Sequence, residues 1–232
     1  MSNLISVVIP AYNEEKNIHD TINRVKNNLN NIYDYEIIVV DDGSTDKTYK
    51  IAKKMDVICI KHKKNIGKGA AFRTGISNAN GEIIVQIDAD SQFLPEEIHK
   101  IVKPIIENKA DVVLASRFIK GAYIEKGSLT FRNRVGNYVA SFLTSIACMK
   151  KITDIQAGFK AFKRDCLKKL NFHENKFGYE PEIVIKAKMR GFRIKEIPIF
   201  YKKRRKGQSS ISFFKDAYNI TKTILKVILF PL

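Results

Sequence analysis

The first half of the chain repeats one local pattern: a short run of β-branched residues, a turn rich in Asp, Asn or Gly, and a longer segment with helical spacing. Continuous apolar strands that alternate with helices indicate a parallel sheet covered on both faces. In such sheets ligands bind beyond the carboxyl ends of the strands, so functional residues are expected there. The predicted strands are Ile5–Ile9, Glu36–Val40, Val57–Ile60, Ile83–Ile87 and Val112–Ala115.

Helical spacing fills the segments between these strands, and the pattern changes after Arg117. In the first half the predicted helices are Asn17–Leu29, Lys47–Met55, one that begins near Gly67 and one that begins at Pro95. In the second half the sequence predicts a loop over 118–128, helices over Leu129–Met149, Pro181–Arg190 and Ser212–Phe230, and strands near Gly158–Phe162 and over Arg193–Tyr201. We therefore expect an α/β domain over residues 1–211 and a C-terminal amphipathic helix over 212–232.

Length and apolar content limit the cellular setting. The 232 residues suit one α/β domain with an appended helical part, and the longest uncharged stretch, Val135–Met149, has 15 residues. That stretch is shorter than a membrane-spanning helix, and the N-terminus lacks the pattern of a signal peptide. Cys59, Cys148 and Cys166 show neither disulfide nor zinc spacing. The expected location is the cytoplasm, with reduced thiols.

The charge is unevenly distributed. Of the net +17, residues 1–149 contribute 20 basic and 17 acidic side chains, whereas residues 150–232 contribute 21 basic and 7 acidic ones. Such asymmetry predicts an anionic partner on the C-terminal part, which could be a nucleic acid, a phosphorylated substrate or an anionic membrane. No helix-turn-helix, zinc-finger or aromatic RNA-binding signature accompanies the charge, so nucleic acid is the disfavoured partner.

Three of the predicted strands end in polar signatures, at Pro10–Glu15, Asp41–Asp46 and Asp88–Gln92. For Ser44, Thr45 and Asp46 a role in capping the next helix is at least as good an interpretation as a catalytic one. Asp88 and Asp90 lie several residues before the helix start at Pro95, so capping explains them less well. Two adjacent carboxylates repel unless a cation lies between them, which predicts a Mg²⁺ or Mn²⁺ site shared with substrate phosphates.

In chain order the motifs are VVIPAYNEE, EIIVVDDGSTDKT, NIGKGAAFRTG, IIVQIDADSQ with PEE, DVVLASR, DIQAGFKAF and EIPIFYKKRRKGQS. This ordered set, from Ser6 to about Ser209, resembles the family 2 glycosyltransferases with the GT-A nucleotide-sugar-binding fold. Within that family it is most similar to the polyprenyl-phosphate (dolichyl-phosphate) mannose and glucose synthases. The resemblance implies a metal-dependent hexosyltransferase that inverts the configuration at the anomeric carbon.

The resemblance also implies roles for individual residues. Asp88, Asp90 and Gln92 would lie at the metal and the donor diphosphate, and Arg117 and Arg204 would contact phosphates. Asp90, Arg117 and Arg204 are the residues expected to carry catalysis. The nucleotide sugar would be bound by Pro10, Tyr12, Glu14, Val39, Asp41, Asp88, Ala89, Asp90, Arg117 and Arg204.

Two features leave the sugar open between mannose, glucose and another hexose. Members similar to the mannose synthases carry a Lys six residues after the Arg that matches Arg204, whereas this chain has Ser210. Arg205 or Lys206 could supply the missing phosphate contact. Conversely, the segment Asp154–Lys160 resembles the glucose-synthase branch.

The chemistry of the acceptor decides whether a base is needed. A sugar hydroxyl requires a general base, whereas a lipid phosphate is already largely an oxyanion at neutral pH. If the acceptor were a hydroxyl of a glycan or cell-wall precursor, the candidate bases would be Glu180, Glu182 and Asp154. Candidate contacts for an acceptor phosphate are Arg132, Arg134, Arg205 and Lys206.

The terminal segment has two interpretations. An apolar stripe with Lys222 and Lys226 beside it suits packing on the domain, and it also suits a helix that lies at a membrane interface. We expect a peripheral enzyme on an anionic membrane surface, at the cytoplasmic face, acting on polyprenyl phosphate. The segment Gly67–Gly69 fits neither a nucleotide-binding P-loop nor a dinucleotide fingerprint, because a Ser or Thr after Lys68 and a glycine at Phe72 are missing.

Overall fold

The computed structural model describes residues 4–204, 206 and 213–230. Its main feature is a sheet of seven strands with a small two-stranded sheet beside it. The strands are β1 (Ile5–Ala11), β2 (Tyr35–Asp41), β3 (Ile58–Lys61), β4 (Ile83–Gln86), β5 (Val112–Ser116), β6 (Tyr123–Ile124), β7 (Lys160–Lys163), β8 (Ile194–Pro198) and β9 (Phe200–Tyr201).

Helices cover both faces of the large sheet, as the unbroken apolar strands require. They are α1 (Ile18–Leu29), α2 (Thr48–Ala52), α3 (Lys68–Ser77), α4 (Ile98–Ile106), α5 (Phe131–Cys148), α6 (Arg164–Leu170), α7 (Tyr179–Met189) and α8 (Phe213–Leu229). A short 3-10 turn, Pro95–Glu97, leads into α4. Thr130 caps α5, because its hydroxyl accepts a hydrogen bond from the Asn133 amide at 3.2 Å.

The strand order in the large sheet is β3-β2-β1-β4-β7-β5-β8. The pairings β1–β2, β1–β4, β2–β3 and β5–β8 are parallel, whereas β7 runs antiparallel to both β4 and β5. The expectation of a mostly parallel sheet flanked by helices is therefore confirmed. The register aligns Ala11 with Asp41 and Val8 with Gln86, so β1, β2 and β4 end at one edge.

Two apolar cores lie on opposite faces of the sheet. One packs α1 and α4 on the sheet through residues such as Ile22 and Ile101, and the other packs α3, α5, α7 and α8 on the second face. Helix α3 lies so close to β1 that a Cβ atom at Gly75 would overlap the side chain of Val8. Ile220 and Ile224 of α8 are buried in the second core, so α8 packs on the domain.

The second half of the chain departs from the predictions at three places. Helix α6 was not predicted, and the segment 118–128, predicted to be a loop, contains β6. The strand predicted over Arg193–Tyr201 is two strands, because the chain leaves the large sheet after Pro198 and β9 pairs with β6. Tyr123 and Phe200 stack across this small sheet, with ring centroids 4.5 Å apart.

Among the described residues, no helix is long and apolar enough to cross a membrane.

Candidate active site

The ends of β1, β2 and β4 open into a cavity of about 860 Å³. Helices α3, α5, α7 and α8 and the segment after β9 complete its wall. Nine of the predicted site residues line this cavity: Pro10, Tyr12, Glu14, Asp88, Ala89, Asp90, Gln92, Arg117 and Arg204. These residues come together because the polar signatures follow strands that are neighbours in the sheet.

Other predicted residues lie away from the cavity wall. The side chain of Val39 is fully buried in the first core, and Asp41 is fully buried at the end of β2. Arg132 and Arg134 are exposed on the first turn of α5, and Lys206 is exposed. Arg205 and Ser210 lie outside the described residues.

The turns after β1 and β2 hold each other in place. The Asn13 amide donates to the Ser44 hydroxyl at 2.9 Å, and the Glu14 amide donates to the Thr48 hydroxyl at 2.8 Å. Asp46 accepts a hydrogen bond from the Thr48 amide at 2.9 Å, at the start of α2. These contacts agree with the structural interpretation of the Ser44–Asp46 segment, since its side chains bind backbone amides.

The two carboxylates after β2 have different environments. Asp42 binds the loop before α3, since its carboxylate accepts from the amides of Ile66 at 3.0 Å and Gly67 at 2.7 Å. Asp41 accepts one hydrogen bond from the Ser44 amide, while its Oδ2 atom is buried with no hydrogen-bond partner among the described residues. The Lys61 amine lies 3.8 Å from this oxygen, so Asp41 is paired with a cation and lies away from the cavity wall.

The Asp88–Gln92 segment provides the oxygen ligands that a hard cation prefers. Burial and the neighbouring charge of Asp88 raise the pKa of Asp90 to about 6, so the two carboxylates repel each other. The side-chain N–H of Gln92 donates a hydrogen bond to the Lys202 carbonyl at 3.1 Å. The side-chain oxygen of Gln92 takes no part in this hydrogen bond. No cluster of three His, Cys, Asp or Glu side chains occurs in the described part of the chain. Asp88, Asp90 and Gln92 offer the oxygen donors that fit Mg²⁺ or Mn²⁺.

Arg204 contacts carboxylates of two of the polar signatures, the one after β1 and the one after β4. Its guanidinium binds Glu14 and lies 3.6 Å from the Asp90 carboxylate, and its Nε atom donates to the Lys206 carbonyl at 3.0 Å. The cation therefore reaches the part of the cavity where the diphosphate is predicted to bind.

Arg117 is held by a buried ion pair. Its Nε and Nη2 atoms bind the Asp154 carboxylate at 2.6 and 2.7 Å, and its guanidinium lies 4.9 Å from the centre of the Tyr201 ring. Asp154 is fully buried. Bidentate pairing fixes the guanidinium plane, so Arg117 would meet a phosphate with its orientation already set.

The candidate base Glu180 is also engaged. Its carboxylate lies 3.1 Å from the Lys68 amine and 3.7 Å from the Lys160 amine. Burial opposes its charge, but the attraction of Lys160 and Lys68 outweighs burial and lowers the pKa of Glu180. A carboxylate with a lowered pKa is a weak base.

The remaining candidate bases are engaged too. Glu182 pairs with Lys186 at 2.9 Å and accepts hydrogen bonds from backbone amides before α7. Asp154 pairs with Arg117. None of the three carboxylates named from the sequence is thus free to accept a proton from an acceptor hydroxyl.

Lys68 is a charged cavity residue to which the sequence interpretation gave no role. It begins α3 and lines the cavity, with its amine 2.7 Å from the Asp88 carboxylate. The motif NIGKG contains it, and its small neighbours Gly67 and Gly69 were the available signal. At Gly69 a Cβ atom would overlap the Glu174 carbonyl, which shows how tightly this turn packs.

The model of Glycosyl transferase family 2 matches residues 6–170. The chain therefore belongs to family 2 of the glycosyltransferases. It is 38% identical over 218 residues to the UDP-N-acetylglucosamine–dolichyl-phosphate N-acetylglucosaminyltransferase of Methanococcus voltae, with 84% of each chain covered. It is 32% identical over 214 residues to the dolichol-phosphate mannosyltransferase of Pyrococcus furiosus, covering 89% of this chain and 59% of that one.

The fold agrees with the family. Glucosyl-3-phosphoglycerate synthase from Mycobacterium tuberculosis, solved with Mn²⁺, UDP and phosphoglyceric acid, superimposes with a TM-score of 0.78 at 23% identity. The match covers 97% of this chain and 78% of that one. The chain thus has the GT-A type of fold that its motifs predicted.

The first prediction concerns the acidic segment after β4. Asp90→Asn should lose most turnover while the fold survives, because a neutral amide is a poor ligand for a hard cation. Turnover with and without EDTA and the thermal midpoint measure the two effects. Asp56→Asn is the matched control, since Asp56 is exposed and has a positive φ that Asn also adopts. Full activity of Asp90→Asn in EDTA would refute the metal site.

The second prediction concerns Arg204. Arg204→Ala should lower turnover by about 10- to 1000-fold, the range for loss of one electrostatic stabiliser, with little change in thermal midpoint. Lys203→Ala is the matched control, because Lys203 is exposed on the same segment. Near-wild-type kinetics of Arg204→Ala would show that this cation does not support the leaving group.

Arg117 requires a different design. Arg117→Ala should lower turnover in the same range, but it would also leave Asp154 as an unpaired buried charge, which destabilises the fold. Comparison with Arg117→Ala/Asp154→Asn separates the two effects. Turnover that returns to the wild-type level with the stability in the double variant would exclude a phosphate contact.

Proposed function

We propose that this glycosyltransferase moves a sugar from a nucleotide sugar to the phosphate of a polyprenyl lipid such as dolichyl phosphate, with inversion at the anomeric carbon. The observation that carries the proposal is the ion pairing of Glu180, Glu182 and Asp154. A hydroxyl acceptor would need one of them as a base, whereas a phosphate acceptor needs none. Relatives named for transfer to dolichyl phosphate support the same acceptor.

The reaction follows from these groups. An oxygen of the acceptor phosphate attacks the anomeric carbon, the bond from that carbon to the donor diphosphate breaks, and the nucleoside diphosphate leaves with the bonding electrons. Arg204, and Arg117 on its fixed ion pair, stabilise the charge that develops on the diphosphate. No proton has to be removed from the nucleophile.

Asp88, Asp90 and Gln92 would hold Mg²⁺ or Mn²⁺ against the diphosphate. A divalent cation bound there supplies charge stabilisation to the leaving oxygen. Solved structures of the mycobacterial synthase with Mn²⁺ or with Mg²⁺, each holding UDP, support this assignment. Metal dependence of this chain is part of the proposal.

The third prediction is an acceptor and donor screen. With polyprenyl phosphate present, one of GDP-mannose, UDP-glucose and UDP-N-acetylglucosamine should be consumed, and NMR should show an inverted anomeric configuration in the product. The free polyprenol and soluble sugar acceptors should give no product, because Glu180, Glu182 and Asp154, the three candidate bases, are all held in ion pairs. Equal transfer to a hydroxyl acceptor would overturn the proposed acceptor and favour the glycan alternative.

We also propose that the enzyme attaches to an anionic membrane surface at the cytoplasmic face. Helix α5 exposes large apolar and aromatic side chains, with Phe131 80% and Tyr138 72% exposed. Helix α8 buries one side and exposes Leu229 and Phe230 at its end. Both helices line the cavity, so a lipid chain that leaves the cavity between them would meet apolar surface.

The fourth prediction uses the absence of tryptophan from the sequence. A single tryptophan at Phe142, exposed on α5, should shift its emission to shorter wavelength with anionic vesicles and be quenched by brominated lipids. Ile32→Trp is the matched control, because Ile32 is exposed after α1, on the other layer. High salt should weaken attachment, since screening acts over about 8–10 Å.

Removal of residues 212–232 should also weaken sedimentation with vesicles, but it takes Ile220 and Ile224 out of the core. Leu225→Ser/Leu229→Ser leaves the core intact and is the cleaner variant. Unchanged emission of the Phe142→Trp protein with vesicles would exclude contact through α5. Unchanged sedimentation of the serine variant would exclude contact through α8.

A further inference from the structure

Four charged side chains at the cavity contact one another in succession, and we call them the charged row. The Lys68 amine lies 2.7 Å from one oxygen of Asp88 and 3.0 Å from the other, and 3.1 Å from the Glu180 carboxylate. Glu180 in turn lies 3.7 Å from the Lys160 amine. The charged row thus runs from Lys160 through Glu180 and Lys68 to Asp88, the first carboxylate of the predicted metal segment.

The four residues of the charged row come from four different secondary-structure elements or from the segments that follow them. Lys68 begins α3, Glu180 lies in the first turn of α7, Lys160 begins β7, and Asp88 follows β4. The side chains of Glu180 and Lys160 are each 1% exposed. Buried charges of this kind are held only where each has a partner, so the four elements are fixed relative to one another at this point.

Asp88 is also confined by the segment before β7. A Cβ atom at Gly158 would overlap the Asp88 carboxylate, so the carboxylate lies directly against the backbone of this segment. The Lys68 amine contacts both oxygens of the same group. Asp88 therefore has a cation and a glycine backbone as close neighbours, which restrict its orientation before any ligand binds.

The charges within the charged row compensate one another. Burial opposes the charge of Lys68, but Asp88, Tyr179 and Glu180 outweigh burial and raise the pKa of Lys68 well above its usual value. Two cations face two carboxylates, whereas Asp90 beside them has the Arg204 guanidinium only at 3.6 Å.

We infer that Lys68 is a positioning residue for the donor site. It fixes the Asp88 carboxylate beside Asp90, and Glu180 and Lys160 hold Lys68 in that place. The inference rests on the proposed function, because Asp88 acts on the donor only if a metal and a diphosphate bind beside it. Glu180 then serves the reaction through Lys68, as the counter-charge that keeps the amine in place.

The alternative is that the four charges stabilise the fold and nothing more. A purely structural role predicts a lower thermal midpoint with unchanged affinity for Mn²⁺ and nucleotide in the molecules that remain folded. A positioning role predicts weaker binding of metal and nucleotide and slower turnover at a temperature where the variant is fully folded. Loss of an outer partner of a metal ligand typically weakens metal binding by about 10- to 100-fold.

The test compares Lys68→Met and Lys68→Arg with Lys63→Met. Lys63 is exposed in the loop before α3 and does not line the cavity. Mn²⁺ affinity is measured by electron paramagnetic resonance, alone and with UDP or GDP, and kcat and KM for the donor are measured separately. Lys68→Met should weaken Mn²⁺ binding about 10-fold or more and lower kcat, Lys68→Arg should restore part of both, and Lys63→Met should change neither.

Two further variants guard against loss of the fold. Lys68→Met/Glu180→Gln removes one cation and one carboxylate together, so the net charge is unchanged; because Lys160 and Asp88 each lose an ion-pair partner, the thermal midpoint of this variant is measured first. Gly158→Ala leaves all four charges in place but displaces Asp88, and it should reproduce the loss of Mn²⁺ affinity. Wild-type Mn²⁺ affinity and kcat in the folded double variant would overturn the inference. Because metal binding is measured without acceptor, failure of the proposed acceptor would appear separately, as transfer absent from the wild-type enzyme.

Discussion

The parallel pairing of β1 with both β2 and β4 is the constraint on which the site depends. Parallel neighbours end at the same edge of a sheet, so three segments that are about 30 to 80 residues apart in the chain open side by side. Every strand end that faces water there must satisfy free backbone amides, and polar side chains do so after β1 and β2. After β4, Asp90 accepts from the Gln92 amide, and Asp88 and Asp90 also face the Lys68 amine and the Arg204 guanidinium.

The sequence predicted the first half of the fold because each buried strand there is a continuous apolar run. Such runs identify strands but not their neighbours. The position of β7 between β4 and β5, antiparallel to both, depends on long-range pairing that no local pattern encodes. The two-residue strands β6 and β9 are too short to show a period, which is why the segment 118–128 resembled a loop.

The site was predictable where a signature follows a strand, and it was not where a charge needs a distant partner. Glu14 and Arg204 are 190 positions apart and bind each other, and Lys68 meets Glu180 across 112 positions. Spacing along the chain carries no information about such pairs. The resemblance to a family assigned roles to the residues at the strand ends. Only the structure shows the ion pairs that engage the carboxylates considered as bases.

The basic residues after position 149 fall into two groups, those that pair with carboxylates inside the molecule and those left for an anionic partner. The sequence assigned the excess of basic residues after position 149 to an anionic partner, yet part of it pairs inside the molecule. Arg204 reaches Glu14, and Lys163 and Arg193 both bind Asp111, each joining a cation of the second half to a carboxylate of the first. Internal pairing lowers the charge left for a membrane or a phosphate. Arg204 belongs to both groups in our proposal, because Glu14 and Asp90 hold this cation beside the cavity in which we propose that the diphosphate binds.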